Sequence, residues 1–266
     1  MIRKIYPILL LIFVAFNCNE IELLQDNPLD PDNPDYTAPT IVLISGPTDG
    51  ETIETSSLTF SWQGNELVTE YRWIFDNGSW ADWISQTTVT LDYLDEGDHN
   101  FSVQGRYLSG DTSSVITINF EVDAVQGPAL IFYPRIQFPS IGQNVTFQIM
   151  AEEVENLTAA EFLITFNNSL VTIVSITQGT MFLGNGESLF HTVYDNDQGT
   201  LSVLMAVLGG SSPSVSGTGV LAEVSLSIQS GGSSNLSFDG TEVMKDPQNN
   251  FIIIKYTFFE KPLHFQ

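Results

Sequence analysis

Short runs in which apolar and polar residues alternate, cut at nearly regular intervals by turn-forming residues, place the tightest limit on how this chain can fold. LTFSWQ, YRWIF, TTVTLDYL, HNFSVQG and VITINFEV, all between Ile41 and Val122, put apolar side chains at every second position, the period of a half-buried strand. No window of similar length there keeps the spacing of an amphipathic helix. Turn signals fall at Gly46-Pro47, Asp49-Gly50, Asn77-Gly78, Glu96-Gly97 and Gly110-Asp111, a spacing that suits about seven short strands. The pattern predicts an antiparallel β-sandwich over residues 38–124.

A short break at Val125, Gln126, Gly127 and Pro128 separates this region from a second all-β pattern. ALIFYPRIQF, NVTFQIMA, AAEFLITF, VTIVSIT, LFHTVYD, TLSVLMAV, GVLAEVSLSIQ, NLSFDG and FIIIKYTFF are its strand candidates. About nine strands in a segment of this length fit a jelly-roll sandwich, expected over residues 128–262. The fold class is therefore all-β, two sandwiches in tandem.

The N-terminus is of another kind. Arg3 and Lys4 precede an apolar run from Ile5 to Phe16, twelve residues long, and then Cys18, the only cysteine among 266 residues. The run is well under the roughly 20 residues that cross a bilayer as a helix, so residues 1–17 read as a signal peptide. A lone cysteine directly after such a run, with Val14 and Ala15 before it, resembles the lipobox of bacterial lipoproteins. That resemblance implies acylation of Cys18, which would become the new N-terminus and hold the chain to a membrane. Phe16 and Asn17 depart from the small residues of the pattern. Asn19 is not the aspartate that retains some lipoproteins in the inner membrane, so the outer membrane or cell surface is the expected location. Between anchor and first sandwich, NEIELLQDNPLDPDNPDYTAP carries four prolines and six acids. Residues 18–37 are expected to be a disordered, extended acidic linker. Asp30, Asp32, Asn33 and Asp35 lack the glycine turn and terminal glutamate of an EF-hand loop.

Charge excludes one class of partner. The formal charge is −24; loss of Arg3 and Lys4 with the signal leaves 6 basic residues against 32 acids, or −26. Nucleic acid needs a basic stripe, and only Arg72, Arg106, Arg135, Lys245, Lys255 and Lys261 remain.

The stretch GPTDG…LTFSW…EYRWIFDNGSW…TLDYLDEGDHNFSVQGRYLSGDTS resembles the immunoglobulin-like or fibronectin-III modules of bacterial surface proteins, which serve as spacers. Trp62 and Trp73 lie within alternating strands and read as core. Trp80 and Trp83, in GSWADW, read either as closing the end of the sandwich or as a platform on which a sugar ring of a polysaccharide could stack.

NVTFQIMAEEVENLTAAEFLITFNNSLVTIVSITQG, FHTVYDNDQGTLSVLMAV and SVSGTGVLAEVSLSIQSGGSSNLSFDGTEV, in this order and spacing, resemble the cohesin family across nearly the whole second sandwich. Phe166, Asn167 and Asn168 occupy a corner where that family carries tyrosine, aspartate and proline. LGGSSPSVSGTG is too rich in glycine and serine for the helix that some cohesins insert before the seventh strand. The resemblance implies a non-catalytic receptor for dockerins, small domains that carry their own calcium and are borne by glycan-degrading enzymes. It also implies a binding face on the sheet of the third, fifth, sixth and eighth strands. Period-two alternation then selects Glu161, Leu163 and Thr165 on the third strand, His191 and Val193 on the fifth, Ser202, Leu204 and Ala206 on the sixth, and Asn235 and Ser237 on the eighth. Leu163, Val193 and Leu204 are its expected apolar centre, with Glu161, His191 and Asn235 as polar rim.

Catalysis finds no support in the residues. His99, His191 and His264 fall on different segments, with no HExxH, serine elbow or metal-ligand spacing. No cofactor and no bound metal are expected, and Asp195 and Asp197 read as a hairpin tip. Three non-enzymatic readings stay open: a dockerin receptor, a direct carbohydrate binder, and a stalk or adhesin.

Overall fold

A computed structural model describes residues 27–184, 186–209, 213–255 and 263–265; the signal segment and Cys18 lie outside the described residues. Strands β1 (Ile41–Ser45), β2 (Glu51–Ile53), β3 (Ser57–Gly64), β4 (Glu70–Phe75), β5 (Thr88–Asp92), β6 (Gly97–Arg106) and β7 (Ile116–Val122) build the first sandwich. They form two sheets, β1-β3-β5 and β2-β7-β6-β4. Alternation decides which side chains meet between them. Phe60 and Trp62 of β3, Phe101 and Val103 of β6, and Phe120 and Val122 of β7 are all buried. Phe60 stacks on Phe101 with ring centroids 3.9 Å apart. Each such side chain contributes roughly 1.5–3 kcal/mol by leaving water. Trp73 packs half-buried against the same core.

Within the described part of the expected linker, residues 27–37, the chain packs on the first sandwich. Leu29 and Tyr36 pack against the first core, and Tyr36 meets Tyr107 edge to face at 6.4 Å. The Tyr107 hydroxyl donates to the Thr37 carbonyl at 2.6 Å. Asn27, Asp30 and Asn33 each accept, on Oδ1, the N–H of the residue two positions on. Residues 27–37 are thus a series of Asx turns, in which proline lowers the entropy of ordering and two apolar side chains supply the docking energy.

The second sandwich comprises β8 (Ala129–Tyr133), β9 (Asn144–Leu157), β10 (Ala159–Thr165), β11 (Val171–Gln178), β12 (Glu187–Asp195), β13 (Thr200–Leu208), β14 (Val215–Ile228), β15 (Gly232–Ser234), β16 (Ser237–Phe238), β17 (Val243–Lys245), β18 (Phe251–Ile252) and β19 (Leu263–Phe265). One sheet runs β11-β14-β9-β8, the other β12-β13-β10-β17-β18 with β16 also on β10, and β15 pairs β19. The strand expected at NLSFDG is the short β16, on Ile164–Thr165; β17, which was not among the strand candidates, pairs with Ala159–Glu161 at the opposite end of β10. The Asp239 carboxylate accepts the N–H and hydroxyl of Thr241 at the turn between them. Phe147, Ile149, Phe162, Ile164, Leu201, Val203, Met205, Leu221 and Leu226 fill the space between the sheets.

The sandwiches meet at a buried ion pair. Arg135, between β8 and β9, pairs its guanidinium with the Glu96 carboxylate, the two side chains being 2% and 13% exposed. The Arg135 N–H donates to Asp95 Oδ1, and the other Glu96 oxygen accepts the N–H of Ala124 at 2.9 Å. Burial pushes the Glu96 carboxyl above its ordinary value against the pull of Arg135, and pushes the Glu152 carboxyl up as well. Val125, Ala129 and Ile131 form a small apolar cluster beside this pair.

Candidate functional site

Three strands bring most of the expected face together. In β10, Ala160, Phe162 and Ile164 point into the core, so Ala159, Glu161, Leu163 and Thr165 point out. In β13, Leu201, Val203, Met205 and Val207 are buried, which turns Ser202, Leu204 and Ala206 outward. In β12, Glu187, Leu189, His191, Val193 and Asp195 are exposed. Register fixes the rows. His191 lies opposite Leu204, which lies opposite Glu161, which lies opposite Val243. Val193, Ser202 and Leu163 make the next row. A third row runs Leu189, Ala206, Ala159, Lys245, Phe251 across five strands.

Glu161 therefore stands on the central strand between Leu204 and Val243, and not at the rim. Ser237 pairs with Thr165 at the end of β10 and is half-buried, and Asn235 precedes that strand, also half-buried. The exposed apolar members are Leu189 at 40%, Val193 at 57%, Leu204 at 37% and Phe251 at 69%. Leu189, Val243, Lys245 and Phe251 were not among the residues expected on the face. Leu189 shares the parity of His191 and Val193 and was legible from it. The register of β17 and β18 depends on pairing with Ala159–Glu161, which no local pattern carries.

Two turns hold the edges of the face. At the β12–β13 tip, Asp195 Oδ1 accepts the N–H groups of Asp197 and Gln198 at 2.8 and 3.0 Å. Asn196 bonds both backbone groups of Ile173. Gly199 has φ +68°, and a Cβ there would lie 2.3 Å from the Phe166 carbonyl oxygen; the Phe166 N–H returns a 2.9 Å bond to Gly199. The corner residue Asn167 accepts the N–H and hydroxyl of Ser169, and Asn168 Nδ2 donates to the Asp197 carbonyl at 2.5 Å. At the β17–β18 turn, Asp246 Oδ1 accepts the N–H groups of Gln248 and Asn250, and its Oδ2 accepts Asn250 Nδ2. These bonds, the Asn250 side chain first, hold the Asp246 carboxyl below its ordinary value. Among the described residues no group of three or more His, Cys, Asp or Glu is placed to hold a metal.

Trp80 and Trp83 are half-buried and belong to a stacked series on the first sandwich. The Arg72 guanidinium lies 4.7 Å from the Trp80 ring and 4.6 Å from the Trp83 ring. Arg106 lies 4.4 Å from Trp83. Arg72 also donates twice to Gln104 Oε1, and Arg106 once to Glu70. The rings thus spend contact area on guanidinium groups, which a stacking sugar would need.

Residues 139–254 match the family profile of the Cohesin domain. Among solved structures, the chain is similar to the sixth cohesin of scaffoldin B from Acetivibrio cellulolyticus, solved with a Cel5 dockerin, at 20% identity over 53% of this chain and 100% of that one, TM-score 0.46. It is similar to a type I cohesin–dockerin complex from Clostridium thermocellum at 16% identity, covering 52% of this chain and 98% of that one, TM-score 0.45. A non-cellulosomal cohesin from the archaeon Archaeoglobus fulgidus matches at 15% identity over 52% of this chain and 90% of that one, TM-score 0.41. No curated protein matches the chain.

Proposed function

Because the second sandwich is cohesin-like, we propose that the chain is a non-catalytic receptor, held at a bacterial surface through acylated Cys18, that docks a dockerin-type domain borne by a glycan-degrading enzyme. The first sandwich and the docked 27–37 segment then act as a riser that carries the receptor away from the anchor. The observation that carries this reading is the outer face of the sheet containing β12, β13 and β10. It gathers Leu163 and Val193, one on each side of Ser202, and Leu204 in the neighbouring row, within the region of the family match. Aliphatic side chains interspersed with polar ones suit protein partners, whereas sugar platforms need exposed aromatic faces.

The test is a pulldown of purified dockerin domains, recognised in the source genome by their duplicated calcium loops, on the immobilised full chain in calcium and in chelator. Retention of at least one dockerin in calcium and its release by chelator is expected. Failure of every dockerin to bind, with retention of the chain on an insoluble polysaccharide, would replace this reading by direct glycan binding.

A further inference from the structure

The outward face does not stop at the strands that alternation selected. Hairpin β17–β18 continues it by one more strand, and the third row crosses the full width: Leu189, Ala206, Ala159, Lys245, Phe251. The two members between Leu189 and Lys245 are alanines, both half-buried, while the residues on either side of them are bulky. At about 4.8 Å between neighbouring strands, Leu189 and Lys245 stand roughly 14 Å apart across that low floor. The row is a trough with an apolar wall on one side and an aliphatic and aromatic wall on the other.

The second wall is built to keep its shape. Lys245 Nζ sits 5.1 Å from the Phe251 ring centroid and donates to Asn249 Oδ1 at 2.8 Å. Asp246 ties the turn from both of its oxygens, and Asn249 takes the left-handed conformation, φ +65°, that closes it. A phenylalanine 69% exposed on the strand that follows a turn so tightly held loses little entropy when covered. That is the property of an interface anchor.

Charge says what covers it. The face carries exposed Glu161, Glu187 and Asp195. Its one cation in these rows, Lys245, is already engaged by Phe251 and Asn249. A second copy of this chain would bring three more carboxylates to the interface and, from these rows, only a Lys245 that is likewise engaged.

We infer that the docking face includes the β17–β18 wing, and that the trough floored by Ala159 and Ala206 and walled by Leu189, Lys245 and Phe251 takes a bulky apolar side chain of a protein partner whose bordering lysines or arginines meet Glu161 and Glu187. This rests on the receptor reading and names the partner chemistry that the reading leaves open. The wing gives the face a polarity: an aromatic end at β18 and, at β12, an aliphatic end flanked by Glu187 and Asp195, so that a partner is accepted in one orientation.

The experiment titrates the dockerin that binds best against the full chain and against Phe251→Ala, Ala206→Trp, Glu161→Lys and Leu204→Asp, with circular dichroism as the check of folding. Phe251 and Ala206 are solvent-facing, so their replacement leaves the core intact. A loss of tenfold or more for Phe251→Ala, a hundredfold or more for Ala206→Trp, and a fall for Glu161→Lys that is smaller at high salt are expected. Phe251→Ala and Ala206→Trp within twofold of wild type, while Leu204→Asp abolishes binding, would overturn the wing and leave the receptor reading standing. Binding unaffected by Leu204→Asp, or no dockerin binding at all, would remove the reading itself. A wild-type dimer in sedimentation that Phe251→Ala dissolves would assign the trough to a second copy and overturn the inference.

Discussion

Arg135→Met should loosen the junction between the sandwiches far more than the loss of one surface charge would. Wild-type Arg135 and Glu96 side chains are 2% and 13% exposed, and the second Glu96 oxygen is already spent on Ala124. Without the guanidinium, a carboxylate is left in a site that also faces Asp95, Asp123 and Glu152. Removing one partner of a buried pair costs about 3–5 kcal/mol, mostly the penalty of the charge left behind. For a chain of this size that is a fall in Tm on the order of 10 °C. Replacing both partners, Arg135→Met with Glu96→Gln, removes the stranded charge while the amide oxygen still accepts the Ala124 N–H, so most of the loss should return. The pH dependence has a definite sign. Burial raises the Glu96 carboxyl and Arg135 is the largest influence that lowers it; in the single variant burial is opposed only by the backbone N–H groups of Ala124 and Val125. A carboxyl raised in the folded state penalises folding while ionised, and the penalty fades as pH falls through its folded value toward the unfolded one. The deficit of Arg135→Met against wild type should therefore shrink from pH 7.5 to pH 5. Scanning calorimetry of the four proteins of the cycle, at both pH values, measures all of this. A single-variant cost under about 1 kcal/mol, as for a surface pair, additive with Glu96→Gln and flat with pH, would refute the reasoning.

Gly199→Ala should destabilise the β12–β13 tip by about 1–3 kcal/mol, because φ +68° disfavours a side chain and the added carbon would meet the Phe166 carbonyl oxygen at 2.3 Å; chemical denaturation that shows no change would contradict this. The Asp246 carboxyl is held low by Asn250 and the turn N–H groups, so the order it lends the β17–β18 turn is present above the ordinary aspartate value and lost as pH falls below it. Amide resonances of Gln248 and Asn250 should accordingly shift only under strongly acid conditions, and a shift centred near neutrality would be inconsistent with that. Cys18→Ser should move the expressed chain from the membrane fraction to the soluble one and abolish incorporation of labelled palmitate, whereas unchanged labelling would place the acyl group elsewhere.

Alternation told most of the fold, because each strand has one wet and one dry side and the sequence states both. Phe162 and Ile164 inward with Glu161 and Leu163 outward could be read from four letters, and the structure pairs them with Leu201–Leu204 as that parity requires. The β17–β18 wing was not legible. Its register is set by Ala159–Glu161, some eighty residues away, and β17 itself, only three residues long, was not among the strand candidates. Residues 27–37 misled for a different reason: proline and acid content argued for an open tether, while the signal that mattered was an Asx residue at 27, 30 and 33, each closing a turn. Arg135 had no local pattern at all. A lone cation in a loop becomes a buried pair only when the second sandwich meets Glu96 of the first.

The most direct test of the receptor account is isothermal titration of the full chain and of Leu204→Asp with calcium-loaded dockerin domains from the source genome. Leu204 is 37% exposed, with His191 on one flank and Glu161 on the other, so the substitution puts a second carboxylate at the centre of the face without opening the core. The account predicts saturable binding of at least one dockerin to the wild-type chain and a loss of a hundredfold or more, about 3 kcal/mol, in the variant. Equal affinity of both proteins for that dockerin, with both folded, would contradict it.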